Sequence, residues 1–241
     1  MSIKFFSDVS VFFNLLDLDG NGSVTRLEAI IGMNYCFYDV HKDKIADLSS
    51  DPSESQSQRN EIVQTQVNWL FSAAGSSDSI NSTQFADCYR GLLNNAYEEE
   101  VLQIDLTRAI TSLQNNQEYQ LMINLFGLVK KYHKSSDSNN EKLKLLFNSI
   151  LGKSKSLGPK KQKLARNIVN ELFSSSNSIT LQQLNDCYLK LLVAEVPVQE
   201  LVQDIQLVEK SGSDSNNNSS SSNSNSNNNT SSSNESDKKT A

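Results

Sequence analysis

Apolar residues recur along this chain at the spacing of one helical face. Phe5, Val9, Phe12, Phe13 and Leu16 follow i, i+4, i+7, i+8 and i+11, and Phe85, Cys88, Tyr89, Leu92 and Ala96 form a second such stripe. Leu121, Leu125, Val129 and Tyr132 give a third, and Leu143, Leu146, Phe147, Ile150 and Leu151 a fourth. Gly158-Pro159 marks a break and a fresh helix carrying Leu164, Ile168 and Leu172. Ser49 to Ser57 is polar, contains Pro52 and reads as an exposed linker, whereas Trp69 reads as core. Nine Gly and three Pro are too few to turn the corners of a strand-based architecture, so the pattern predicts an all-α fold.

The pattern also repeats at long range. The stretch from Ile80 through Gln84, Phe85, Asp87, Cys88 and Tyr89 to Leu92-Leu93 aligns with Ile179 through Gln183, Leu184, Asp186, Cys187 and Tyr188 to Leu191-Leu192, about 99 residues later. Each copy follows a segment ending in Leu-Phe (Leu70-Phe71 and Leu172-Phe173) and a Ser-rich loop. Two related lobes are expected, 1–115 and 116–210, with the boundary near Gln114 to Gln117. From Ser211 to Ala241 the chain is almost all Ser and Asn, without aromatic or branched apolar side chains, so 211–241 is expected to be a disordered tail.

Composition narrows the function. The chain has 241 residues, 37% hydrophobic and 7% aromatic, with a formal net charge of −6. No apolar run approaches the roughly 18 residues that span a bilayer. The start Met1-Ser2-Ile3-Lys4-Phe5-Phe6 meets Ser7 and Asp8 before a signal-peptide core can form, and neither a myristoylation glycine nor a prenylation cysteine is in place. Cys36, Cys88 and Cys187 are odd in number and sit inside apolar stripes, which reads as buried thiols in a reducing compartment, and a cytoplasmic location is expected. His41 and His133 are too few for a His-based zinc site. No base, nucleophile and orienting group fall at interpretable spacing, so no enzyme is expected.

One chemical motif is sharp. Asp17-Leu18-Asp19-Gly20-Asn21-Gly22-Ser23-Val24-Thr25-Arg26-Leu27-Glu28 satisfies D-x-[DN]-x-[DN]-G-x5-E with no departure. In this stretch the chain resembles the EF-hand superfamily, whose loop wraps alternate residues around a hard divalent cation needing six to eight oxygens. The resemblance implies a Ca2+ site in which Asp17 and Asp19 give carboxylate oxygens, Asn21 a side-chain carbonyl and Ser23 its backbone carbonyl. Thr25 would act through water, and Glu28 with both oxygens. Gly22 would take the sharp turn, and Val24 would belong to a short strand pairing with a partner hand. Without metal the three carboxylates repel one another.

The partner hands look degenerate. Aligning Ile80 with Val24 puts Gln84 at the position of Glu28, in a hand spanning about 73–84 whose loop carries one carboxylate, Asp78. A neutral amide cannot replace a bidentate carboxylate, so this loop is expected to stay empty. In the second lobe Ile179 and Gln183 take the same places, and the loop between Leu172 and Ile179 is about two residues too short. The residues 135–141, where a fourth partner would lie, do not fit the motif. One calcium ion is expected.

The segment from Lys130 to Arg166 holds eleven of the chain's 22 Lys and Arg against Asp137 and Glu141 alone. It reads as a solvated helical face, or as a surface docking on an anionic membrane or an acidic protein. Nucleic acid is not expected as a partner, given a pI near 5.0 and no aromatics interleaved with the lysines. The sequence thus predicts all-α, EF-hand-like helix-loop-helix pairs in two lobes, acting as a calcium-responsive binding protein with a protein target. The alternative is a constitutive adaptor with one structural calcium and a basic second lobe.

Overall fold

The helices begin where the sequence supplies a cap. In the computed structural model, which describes residues 2–41, 51–95, 97–135, 147, 158–174 and 179–214, helix α1 spans Ile3–Leu16 and is capped by Ser2, whose hydroxyl accepts from Phe5 N at 3.2 Å. Helix α2 (Arg26–Val40) follows strand β1 (Ser23–Thr25), and helix α4 (Ser82–Asn94) follows strand β2 (Ser79–Asn81). Both open on a reciprocal capping box, Thr25 with Glu28 and Asn81 with Gln84. Helix α8 (Leu181–Val193) opens on a third, Thr180 with Gln183. The sequence repeat is therefore a repeat of one helix-starting device.

Helix α3 runs Pro52–Ala73, so residues 52–57 are helical rather than linker. Asp51 Oδ1 accepts from Glu54 N at 3.2 Å and Pro52 occupies the first helical position, where its missing N–H is not needed. Helix α5 (Glu99–Asn115) carries Glu99 and Glu100 in its first turn, where negative charge suits the helix dipole. Helix α6 (Gln117–Ser135) restarts at once, with Asn116 Oδ1 accepting from Tyr119 N at 3.0 Å. Helices α7 (Pro159–Ser174) and α9 (Val198–Asp214) complete nine helices among the described residues. The fold is all-α apart from the two short strands. α9 reaches Asp214, four residues into the stretch expected to be disordered, and 215–241 lie outside the described residues.

β1 and β2 pair antiparallel with Val24 opposite Ile80, and both side chains are fully buried. Around this ladder α1 packs on α4 and α5, and α2 packs on α3, α5 and α8. α6 packs on α8 and α9. One apolar core runs without a gap from Phe5 to Ile205. Tyr119 of α6 joins the halves, its hydroxyl donating to the Leu15 carbonyl at 2.7 Å and its ring 5.5 Å from that of Tyr35.

Two apolar expectations are corrected. Trp69 is 44% exposed, because α3 turns Val63, Val67, Leu70 and Phe71 inward and leaves Trp69 at the rim. Leu164 is 48% exposed, because the inward stripe of α7 is Ala165, Val169 and Leu172. All five apolar residues first read on α1 are buried. Of the stripe from Leu143 to Leu151 only Phe147 is described, buried against Phe173 and Tyr188. Ala96, most of the basic segment (136–146 and 148–157) and the loop residues 175–178 lie outside the described residues. Among the described residues no helix is long and apolar enough to cross a membrane.

Candidate metal centre

The loop between α1 and α2 is folded by its own side chains. Asp17 ends α1, and its carboxylate turns back over the loop, Oδ1 accepting from Asn21 N at 3.1 Å and Oδ2 from Gly22 N at 2.9 Å. Asp19 Oδ1 accepts from Asn21 N at 3.0 Å. Gly20 and Gly22 have φ of +65° and +87°, the left-handed region that a side chain disfavours. Asn21 Oδ1 accepts from Ser23 N at 2.8 Å and from Ser23 Oγ at 2.6 Å.

Glu28 reaches back from the first turn of α2. Its Oε2 accepts from Thr25 N at 2.8 Å and Thr25 Oγ1 at 2.7 Å, and its Oε1 from Asp19 N at 3.3 Å. Asp17, Asp19 and Glu28 each offer an oxygen within 4.8 Å of the others. Glu28 is fully buried and Asp19 nearly so, whereas Asn21 lies exposed and Ser23 half-buried at the loop's outer side. Burial pushes the Glu28 carboxyl up to about 7 against the pull of the Thr25 hydrogen bonds, with the Asp19 charge adding to the rise. Burial likewise raises Asp19, and the Asp17 charge adds to it.

The nearest arginine is directed elsewhere. Arg26 donates from Nε to the Ser77 carbonyl at 2.6 Å and from Nη1 to Asn68 Oδ1 at 2.8 Å, with its guanidinium over the Phe71 ring. Among the described residues no Lys or Arg pairs with any of the three carboxylates.

The second loop is closed differently. Gly75 is at φ +65° and Ser76 Oγ donates to the Ser79 carbonyl. Gln84 spends its one oxygen on Asn81 N, at 2.9 Å, and points its amide Nε2 at the Ala74 carbonyl, at 3.4 Å. Where Glu28 presents a second carboxylate oxygen to its loop, Gln84 presents a donor. Gln183 Oε1 is held in the same way by Thr180 N at 2.9 Å.

Compared with protein-family models, curated proteins and solved structures, the chain finds no match.

The five residues singled out in the sequence, Asp17, Asp19, Asn21, Ser23 and Glu28, thus lie within one stretch from the end of α1 to the first turn of α2, and three of them bring carboxylates together. A donor set made only of oxygens, with carboxylates that no Lys or Arg among the described residues pairs with, fits a hard divalent cation. Such an ion would supply the missing positive charge. Two further residues at the loop had not been read as part of it. Asn185 Nδ2 donates to Asp19 Oδ2 at 3.0 Å, and Gln182 Oε1 lies 3.4 Å from Asn21 Nδ2, both from α8. The repeat holds a trace of this: the position of Asn185 is Ala86 in the preceding copy and Ile30 in the loop's own helix, so a polar residue replaces an apolar one.

Proposed function

We propose that this chain is a calcium-binding protein of the EF-hand kind, with one working loop at residues 17–28, and that it acts as a calcium-responsive binding protein. The observation that carries this reading is the meeting of Asp17, Asp19 and Glu28 around one point, with no Lys or Arg among the described residues paired to them and Glu28 wholly buried. Asn21 and Ser23 would complete the oxygen set. Three buried cysteines agree with a reducing, cytoplasmic setting.

The responsive surface on this reading is a cleft of about 190 Å³ bordered by Phe12, Met33, Phe37, Trp69 and Leu106. It is flanked by both helices that leave the loop, so a change in their angle would alter it directly. Calorimetric titration with calcium tests the reading. One ion per chain is expected, with Glu28→Gln abolishing it, and unchanged binding in Glu28→Gln would show that the ligands lie elsewhere. A rise in hydrophobic-dye binding on calcium addition would mark the responsive form.

A second reading has its own observation. α5 already packs along α1 and α2, leaving little of their apolar face free, which favours an ion that staples the fold. On that reading the basic second half is the functional surface, docking on an anionic membrane or an acidic protein. Vesicle co-sedimentation at two salt concentrations separates the two, because electrostatic docking weakens as salt rises.

A further inference from the structure

Asn185 belongs to the other half of the chain, 166 residues from the carboxylate it touches. It is only 4% exposed, with its Nδ2 aimed at Asp19 Oδ2. Its own oxygen, Oδ1, is buried without a hydrogen-bond partner. A carbonyl oxygen left so in the interior is unusual, and it is placed beside a loop whose carboxylates have no Lys or Arg partner among the described residues. One turn earlier on the same face Gln182 approaches Asn21, the other side chain that contacts Asp19 Oδ2. α8 therefore lies on the loop through two amides, one buried and one exposed.

We propose that Asn185 is a positioning residue for the cation, contributed by the second half of the chain, and that through it ion loading and the docking of α8 on the loop form one linked equilibrium. This rests on the calcium reading above. Asp19 has two oxygens; Asn185 holds Oδ2 from outside the loop, which fixes the carboxylate and leaves Oδ1, now turned to Asn21 N, as the oxygen for the ion. A group holding a metal-binding carboxylate from behind typically changes metal affinity 10- to 100-fold when removed. By reciprocity, whatever α8 adds to the affinity, the ion adds to the docking of α8. A signal arising at the loop would then reach the second half directly, rather than only through the cleft of the first.

The test uses full-length chains with wild type, Asn185→Ala and Asn185→Asp, each titrated with calcium by calorimetry and melted with and without it. Asn185→Ala is expected to weaken calcium about ten-fold and to shrink the calcium-induced rise in melting temperature. Asn185→Asp puts a carboxylate against Asp19, so its metal-free form should melt lower than wild type and its calcium-induced rise should be larger. A purely structural contact would lower the melting temperatures of both variants while leaving the calcium-induced rise equal in the three chains, and that result would overturn the proposal. Should Asn185→Ala fail to fold, Asn185→Ser, which keeps a shorter polar group, is read by the same criterion. A wild type giving neither heat nor thermal shift would instead refute the calcium reading itself.

Discussion

At the residue scale the molecule is governed by buried groups whose partners are limited. Glu28 has no Lys or Arg paired with it among the described residues, and burial holds its carboxyl above the ordinary range. Calcium at a hundred times its dissociation constant should stabilise the chain by about 2.7 kcal/mol, and Glu28→Gln should remove that gain, as melting with and without the ion would show. The cysteines are inert for a related reason. Burial pushes Cys36 and Cys187 up to about 12, so at pH 8 both are neutral thiols, and burial raises Cys88 as well. Native protein should therefore react with a thiol reagent far more slowly than denatured protein. Because thiols held near 12 stay far below their titration midpoint, raising the pH from 7 to 9 should accelerate native labelling of Cys36 and Cys187 by close to the full ~100-fold, against about 25-fold for denatured thiols of ordinary pKa, with the native rate remaining the slower.

At the scale of the element the controlling features are starts, stops and close approaches. Removing the hydroxyl cap of α8 with Thr180→Ala should cost about 1 kcal/mol in a denaturant titration, since Gln183 N then loses its acceptor. α8 stops on Glu195, at φ +59°, with Val196 N bonded to the Leu191 carbonyl and Glu195 N to the Leu192 carbonyl. A left-handed residue with a side chain is strained by about 1–2 kcal/mol, so Glu195→Gly should raise stability by about 1 kcal/mol. The exposed ion pair with Lys161 that it removes offsets little of that. Gly32 of α2 works in the opposite direction. A Cβ there would overlap Leu16 Cδ2 and crowd the Tyr119 hydroxyl. Leu16 is fully buried, so Gly32→Ala should destabilise the chain by about 1–3 kcal/mol, measured in the same way.

At the scale of the whole molecule the two halves share one core, joined by Tyr119 on Leu15, by α8 on α2, and by Asn185 on Asp19. Thermal unfolding of the full chain should consequently be a single transition, with near- and far-ultraviolet dichroism melting together. Two separated transitions would mean that the shared core does not couple the halves. Trp69 reports on the cleft from its rim. Being 44% exposed, it should be quenched by acrylamide in the calcium-free chain far more readily than a buried indole.

Sequence alone determined the local devices, because their signals lie within a few residues of one another. The stripe of α1 follows from spacing, and the fold of the 17–28 loop from oxygen-bearing residues at alternate positions with Gly22 at the turn. The three aligned copies fall on three capped helices, since a cap is a contact between a residue and the third one after it. The start of α3 was also written locally, in Asp51-Pro52 and Glu54, although the surrounding polar residues made it read as linker. Tertiary structure decided what has no local signature. Packing turned Trp69 and Leu164 outward, because helical periodicity marks a face without stating how much of it a neighbour covers. It also laid α8 across the loop. Asn185 and Asp19 are far apart in the chain, and only the docking of one helix on another gives an otherwise unremarkable asparagine a carboxylate to hold.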